Sequence, residues 1–248
     1  MTTAVPVELA GYLTELVRRL RDAVGDDLGG AWLIGSAAQG VYEHGVSDVD
    51  VLAVTRRRWP EAARRALGER IVHPALPCPT VGLEFVWYAR DDLVDLADPV
   101  AFQLNVNGGT QRPSSVQLAP DGFPNYWSVL DLAAARQVGV PLEGARAASE
   151  VIPEVPAGRV RRAVDESITW HDGPDAGSPN RVLNLARMLV LATEGRWVSK
   201  PAGAAEVRAR NPEFADAIDE ALRARAESRW MDPAYAESLS TAVRAALG

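Results

Sequence analysis

Residues 31–54 of the 248-residue chain read AWLIGSAAQGVYEHGVSDVDVLAV. The segment begins with a short apolar run that stops at Gly35, which is typical of a buried strand. It ends with a second run of strand-forming residues over 50–54. A turn-rich stretch over 37–46 separates the two runs. The segment therefore predicts a strand, a loop and a second strand, with polar residues at the strand ends.

Two carboxylates mark the start of the second predicted strand. Asp48 and Asp50 are separated by one residue, and side chains alternate across a strand, so both point to the same face. Hard oxygen ligands suit Mg²⁺, which also holds triphosphate oxygens. Gly35 would let the backbone approach a phosphate closely, and Ser36 offers a hydroxyl and an amide donor. An Asp-X-Asp pair by itself is a weak signal, because such pairs are more often exposed carboxylates in turns.

Glu84 is the third acidic residue of interest. It lies in a predicted strand over 83–88, which reads LEFVWY. A carboxylate is unusual in such an apolar run, because an unpaired buried carboxylate is costly. Glu84 is therefore predicted to complete a carboxylate cluster with Asp48 and Asp50.

The remaining pattern predicts two domains. Residues 105–127 are rich in Asn, Gly and Pro and predict a loop, whereas residues 128–138 fit either a strand or a helix. Beyond a boundary near residue 150 the pattern becomes helical. Helices are predicted over 7–24, 59–68, 91–97, 157–170, 179–194, 201–210, 212–228 and 232–247. The prediction is an α/β domain over 1–150 and an all-α helical bundle over 151–248.

Composition limits the classes of partner. The formal net charge of −7 disfavours a nucleic-acid polymer, because nucleic-acid binders usually carry a basic face. Cys78 is the only cysteine, which excludes an internal disulfide and fits a reducing compartment. No apolar stretch of about 18 residues and no leader-like start occur, so we expect a cytoplasmic protein without a membrane partner.

Two parts of the chain resemble a known enzyme superfamily. Residues 34–36 and 47–54 look like the signature of the polymerase-β-type nucleotidyltransferases. Within that superfamily, the chain resembles the aminoglycoside adenylyltransferases that modify streptomycin and spectinomycin. Residues 180–187 and 195–200 are similar to segments of their helical C-terminal domain. The resemblance extends over about residues 10–225 and implies an α+β nucleotidyltransferase domain with a short mixed sheet, followed by a helical domain.

The resemblance implies a magnesium-dependent enzyme that transfers AMP from ATP to a hydroxyl of a small molecule and releases pyrophosphate. Asp48 and Asp50 would hold the magnesium ion. Glu84 would be the third carboxylate and the base toward the attacking hydroxyl. The sequence itself does not separate ATP from other nucleoside triphosphates.

The same resemblance implies contacts to the nucleotide. Gly35, Ser36 and Ser47 would lie against its phosphates. Arg187 and Lys200 would reach the triphosphate from the helical domain, across a cleft. Lys200 is the only lysine among 26 basic residues, and it falls where the family uses a lysine as a compact point charge.

The acceptor implied by the resemblance is a cationic, polyhydroxylated aminoglycoside or aminocyclitol bound near Glu84. Asp172 and Asp175 would supply carboxylates for its ammonium or guanidinium groups. Trp170 would offer a face for a sugar ring or a cation. Asn107 stands where the streptomycin-modifying enzymes have a tryptophan.

Two alternatives stay open. The same chemistry would also serve another acceptor, such as a lincosamide, a natural-product intermediate or a protein side chain. A catalytically inactive nucleotide sensor or antitoxin-like module is the second alternative. Loss of a metal carboxylate would mark such a module, and all three carboxylates are present. Both a monomer and a homodimer are compatible with the sequence.

Overall fold

The computed structural model describes residues 5–173 and 175–248. The chain divides into two compact units, Met1–Val155 and Pro156–Gly248. The domain limits predicted from the sequence, 1–150 and 151–248, stay a prediction. Within the described residues, no helix is both long enough and apolar enough to cross a membrane.

The first unit is built on a six-stranded mixed sheet. Its strands are β1 Leu28–Leu33, β2 Val49–Thr55, β3 Leu83–Ala89, β4 Leu104–Gly108, β5 Ser115–Gln117 and β6 Val140–Pro141. Their order across the sheet is β5-β4-β3-β2-β1-β6. β2 pairs with β3 in parallel, and every other neighbouring pair is antiparallel. Parallel neighbours need a crossover connection, which the helical segment between β2 and β3 supplies.

Six helices belong to the first unit. They are α1 Val7–Val24, α2 Gly35–Ala38, α3 Glu61–Ile71, α4 Arg90–Val94, α5 Asn125–Val138 and α6 Ala148–Val151. The α1 sequence buries one apolar stripe at helical spacing, which includes Leu9, Leu13, Leu16 and Leu20. This stripe joins the buried residues of β1, β2 and β3 in one core. The central strands are therefore fixed by burial along almost their whole length.

The loop predicted over 105–127 is wrong, because this segment contains most of β4 and all of β5. Asn105 pairs with Gln117 and Asn107 with Ser115, and β4 also pairs with β3. Pairing with distant strands overrides the local preference of Asn and Gly for turns. Residues 128–138 are helical, as one of the two predicted alternatives required. β6 and α6 were not predicted.

The second unit is helical. Its helices are α7 Ala157–His171, α8 Pro179–Glu194, α9 Lys200–Arg210, α10 Ala215–Ala226 and α11 Glu237–Leu247. The predicted start at Ser178 and Pro179 is confirmed, since the Ser178 hydroxyl accepts a hydrogen bond from the Asn180 amide. Asn211 is followed by a 3₁₀ turn over Pro212–Phe214 that leads into α10. The predicted order of an α/β region followed by a helical region is confirmed.

α8 packs against α7, α9, α10 and α11 and is the central helix of this unit. It lies close to α9 at Gly203, where an added Cβ would lie 2.7 Å from the Cα of Arg187. The two helices can therefore pack at this distance only with a glycine at position 203. This contact also fixes the backbone from which the Arg187 side chain extends.

Gly203→Ala should destabilise the second unit by about 1–3 kcal/mol, because overpacking at a backbone contact forces the helices apart. Gly158→Ala is the matched control, since a Cβ there meets nothing within 4 Å. Urea unfolding followed by circular dichroism compares the two variants. Equal stability of both variants would contradict the close packing of α8 on α9.

Candidate active site

The sheet brings three carboxylates together at one edge. Parallel pairing of β2 with β3 places Asp50 directly beside Glu84. Asp50 is the second residue of β2, and Glu84 is the second residue of β3. Each of the two is partly exposed, whereas every other residue of its strand is buried. Asp48 lies two residues before Asp50, and each of the three side chains offers an oxygen within 4.8 Å of the others. The carboxylate cluster expected from the sequence is present as a geometric arrangement.

Gly35 makes room for one of these carboxylates. Its φ of +63° is a conformation that favours glycine, and an added Cβ would lie 1.8 Å from Oδ2 of Asp50. The Ile34 amide donates a 2.9 Å hydrogen bond to the Asp50 carbonyl, which holds β1 and β2 in this register. Gly35 is therefore needed for the position of Asp50, in addition to the phosphate contact that the sequence predicts.

The two predicted phosphate-binding serines differ in their surroundings. The Ser36 hydroxyl is buried and has no hydrogen-bond partner among residues 5–173 and 175–248. The Ser47 hydroxyl accepts a 3.1 Å hydrogen bond from the Glu43 amide, and the Ser47 carbonyl accepts one of 2.7 Å from Thr80. Ser47 thus stabilises its own loop, while its hydroxyl proton stays able to donate. Their contacts to phosphate stay predictions.

Arg112 enters the carboxylate cluster and was not predicted. It lies between β4 and β5, and its Nη2 donates a 2.8 Å hydrogen bond to Oδ2 of Asp48. Its Nη1 donates to Oε1 of Glu84. The one signal in the sequence is that Arg112 is the only basic residue over 91–135. Its partners are 64 and 28 positions away along the chain, so the contact follows only from the folded sheet.

The electrostatics of the cluster follow from these contacts. Desolvation and the neighbouring Asp48 carboxylate raise the pKa of Glu84, although Arg112 and a hydrogen bond with Asp50 oppose this shift. The Glu84 side chain keeps 44% of its surface exposed, so its carboxyl group lies at the mouth of the cluster and not inside the core. Desolvation lowers the pKa of Arg112, but the charges of Glu84, Asp48 and Asp50 outweigh it and raise that pKa.

The three carboxylates fit a divalent cation. Two like charges about 4 Å apart repel by about 4 kcal/mol at an effective dielectric constant near 20. Such a cluster therefore needs a positive partner. An octahedral Mg²⁺ with oxygen ligands at about 2.0–2.1 Å holds those oxygens up to about 4.2 Å apart. The observed oxygens lie within 4.8 Å of one another, which is close to this spacing.

Asn107, which is predicted to contact the acceptor substrate, lies beside the carboxylate cluster. It pairs with Glu84 across β3 and β4, and its Nδ2 donates a 2.6 Å hydrogen bond to Oδ1 of Asn105. The short amide thus lies next to the proposed base. No bulky aromatic side chain occupies this sheet position, as the sequence already shows.

In the second unit, Asp172 is already bonded to a buried arginine. Its Oδ1 accepts hydrogen bonds of 3.1 Å and 2.5 Å from Nε and Nη2 of Arg181, whose side chain is 7% exposed. Arg181 also donates to the carbonyls of Ala176 and Pro233. Arg244 lies 3.4 Å from the other oxygen of Asp172. Asp172 therefore stabilises the packing of this unit, and its predicted contact with an acceptor stays a prediction.

Asp175 and Trp170 lie around His171. Nδ1 of His171 is 3.4 Å from Oδ2 of Asp175, and the Trp170 ring meets the imidazole edge to face at 4.9 Å. Desolvation lowers the pKa of His171, Asp175 opposes this shift, and the charges of Lys200 and Arg187 add to it. Asp175, Lys200 and Arg187 are thus close enough to His171 to act on it electrostatically.

The two predicted triphosphate-binding cations have contacts within the second unit. The Arg187 guanidinium lies 5.1 Å from the centre of the Trp197 ring. Nζ of Lys200 is 3.5 Å from Oδ1 of Asn180. Lys200 is the first residue of α9. Ser199 caps this helix, because its hydroxyl accepts a 3.2 Å hydrogen bond from the Ala202 amide. Packing and capping therefore fix the backbone positions of both cations.

Asp172→Asn should destabilise the second unit by about 1.5–3 kcal/mol, because a charged hydrogen-bond acceptor of buried Arg181 is lost. Asp175→Asn is the control, since its side chain is 38% exposed, and we expect a change below about 0.5 kcal/mol. Denaturant unfolding of both variants measures the difference. If Asp172→Asn is as stable as the unmodified chain, the Asp172–Arg181 pair has no structural role.

The chain is similar to known proteins in its helical region and in its fold. Residues 150–247 match the family model described as aminoglycoside adenylyltransferase, C-terminal domain. A solved structure of spectinomycin adenyltransferase AAD(9) from Enterococcus faecialis, with ATP and spectinomycin, is similar with a TM-score of 0.67. That match covers 94% of this chain and 98% of the other at 18% identity, which shows a shared fold. No curated protein sequence matches the chain.

The helical region, residues 150–247, matches the C-terminal domain of the aminoglycoside adenylyltransferases, and the chain shares the fold of a solved spectinomycin adenyltransferase. The resemblance to the aminoglycoside adenylyltransferases that the sequence predicts is confirmed by these two matches.

Proposed function

We propose that this enzyme transfers AMP from magnesium-bound ATP to a hydroxyl of an aminoglycoside or aminocyclitol and releases pyrophosphate. The observation that carries the proposal is the cluster of Asp48, Asp50 and Glu84 at the edge of the sheet. The family match of the helical region supports the aminoglycoside class of acceptor. The related fold of AAD(9), whose solved structure contains ATP and spectinomycin, supports the choice of nucleotide.

Asp48 and Asp50 would hold the metal ion, with Glu84 as the third ligand. When bound, Mg²⁺ supplies positive charge that stabilises the negative charge developing on the phosphate oxygens. Glu84 would accept the proton of the acceptor hydroxyl, whose oxygen then forms a bond to the α-phosphorus. The bond from the α-phosphorus to the bridging oxygen breaks, and pyrophosphate leaves. The partial exposure of Glu84 lets an acceptor reach its carboxylate.

Each unit carries candidate groups for binding phosphate. On the first unit, the Ser36 hydroxyl has no hydrogen-bond partner among the described residues and would donate to a phosphate oxygen, together with Gly35 and Ser47 of the same sequence motif. On the second unit, Arg187 and Lys200 would bind the triphosphate, in agreement with the family resemblance. Charge-assisted hydrogen bonds of this kind are about twice as strong as neutral ones.

The acceptor would be recognised by charge and by an aromatic face. Asp175 is the better candidate for an ammonium group, because Asp172 is already bonded to Arg181. Trp170 would stack on a sugar ring or a cation. Asn107, beside Glu84, would contact the acceptor by hydrogen bonds, where the streptomycin-modifying enzymes use a tryptophan.

The function is tested by pyrophosphate release from Mg-ATP in the presence of streptomycin, spectinomycin, other aminoglycosides and lincosamides, with mass spectrometry of the products. We expect an adenylylated aminoglycoside or aminocyclitol. Asp48→Asn should abolish transfer, whereas Asp26→Asn, which changes an exposed carboxylate of the same unit, should not. Turnover near normal in Asp48→Asn would contradict the metal assignment.

Other outcomes of the same experiment identify the alternatives. Transfer to a lincosamide, an unrelated metabolite or a protein side chain, without transfer to any aminoglycoside, would keep the chemistry and change the acceptor. Binding of Mg-ATP in calorimetry with no turnover on any acceptor would favour a nucleotide sensor.

Glu84→Gln should lower kcat by about 10²–10⁴-fold, because glutamine keeps the shape of the side chain but cannot accept a proton. The affinity for Mg-ATP should change little. Steady-state kinetics and calorimetry measure the two quantities, and circular dichroism checks the fold. A variant that loses its fold together with its activity would show that Glu84 is structural.

A further inference from the structure

Arg112 binds two of the three carboxylates that the proposed function assigns to the metal ion. Its guanidinium bridges Oδ2 of Asp48 and Oε1 of Glu84. A guanidinium and a divalent cation cannot occupy the same position between these oxygens. The cluster therefore has a positive partner within its own chain.

The backbone around Arg112 is anchored, whereas its side chain is partly exposed. The Gln111 amide donates a 3.3 Å hydrogen bond to the carbonyl of Val81, and the Ser114 hydroxyl donates one of 2.5 Å to the carbonyl of His73. The Arg112 carbonyl accepts from the Gly109 amide at 3.3 Å. The Arg112 side chain itself is 34% exposed, so it has a path toward solvent.

Gly82 lies against the stem of this side chain. A Cβ on Gly82 would lie 3.6 Å from Cδ of Arg112, in ordinary contact, and 3.1 Å from the carbonyl oxygen of Gly108. The Gly82 carbonyl also accepts a 2.8 Å hydrogen bond from the Val49 amide, at the start of β2. The loop that carries Arg112 is thus held beside the two strands that carry Asp50 and Glu84.

We propose that Arg112 is a further active-site residue that competes with divalent cations for Asp48 and Glu84. In the metal-free enzyme it neutralises part of the charge of the cluster. A metal ion must displace its guanidinium, so Arg112 sets the cation concentration at which the site fills. This inference rests on the proposed function, because it assumes that these carboxylates bind the metal.

The test is a titration of Mn²⁺ alone into the full chain, without nucleotide, followed by electron paramagnetic resonance. Arg112→Gln should bind Mn²⁺ at least about 10-fold more tightly, because two charge-assisted hydrogen bonds no longer have to break. The Mn²⁺ affinity of Arg112→Lys should lie between those of Arg112→Gln and the unmodified chain, because lysine keeps a charge but lacks the two-pronged guanidinium. Arg65→Gln is the matched control, because Arg65 pairs with the exposed Glu61 on α3.

Thermal unfolding gives an independent readout. Without metal, Arg112→Gln should melt at a lower temperature than the unmodified chain, because the repulsion among the carboxylates is no longer offset. Saturating Mn²⁺ should remove this difference. Arg65→Gln should leave both the Mn²⁺ affinity and the effect of Mn²⁺ on melting unchanged.

Equal or weaker Mn²⁺ binding by a folded Arg112→Gln would overturn the inference. If that variant does not fold, Arg112→Lys decides, and an unchanged Mn²⁺ affinity in it overturns the inference as well. Asp50→Asn separates this result from the proposed function. If Asp50→Asn loses Mn²⁺ binding while the Arg112 variants keep the Mn²⁺ affinity of the unmodified chain, the metal site stands and the competition by Arg112 is rejected. Unchanged Mn²⁺ binding in Asp50→Asn would reject the metal site itself.

Discussion

The parallel pairing of β2 with β3 is the constraint on which the candidate site depends. Parallel strands begin at the same edge of a sheet, so residues at equal positions along the two strands become neighbours. Asp50 and Glu84 are such a pair. The residues that follow them are buried, which fixes the register, because a slip by one residue would turn every side chain to the other face.

The same pairing creates a concentration of negative charge that the fold must balance. Asp48, Asp50 and Glu84 repel one another, and the raised pKa of Glu84 reflects desolvation together with the charge of Asp48. Arg112 supplies one balancing charge from a neighbouring loop. Carboxylates placed to hold a metal ion would destabilise the metal-free chain, and an arginine bonded to two of them reduces this conflict.

The limits of prediction from the sequence have physical causes. β1, β2 and the carboxylates were predictable, because strand periodicity and residue chemistry are local properties, and so were the helices of the second unit. β4 was missed, since the turn preference of Asn105 and Asn107 is overridden by pairing with β3. Arg112 was missed because its partners are distant along the chain. Gly35 was predicted for phosphate, but its contact with Asp50 required the folded backbone.

Two residues with the same predicted role differ in the partners that they already have within the protein. Asp172 and Asp175 were both expected to bind a cationic acceptor. Asp172 holds a buried arginine, whereas Asp175 faces a histidine whose pKa is lowered, mainly by desolvation. Desolvation disfavours the charged imidazolium, so His171 competes weakly for the Asp175 carboxylate. Asp175 therefore has more hydrogen-bonding capacity left for a ligand, and we expect recognition of a cation on this unit to depend on it more than on Asp172.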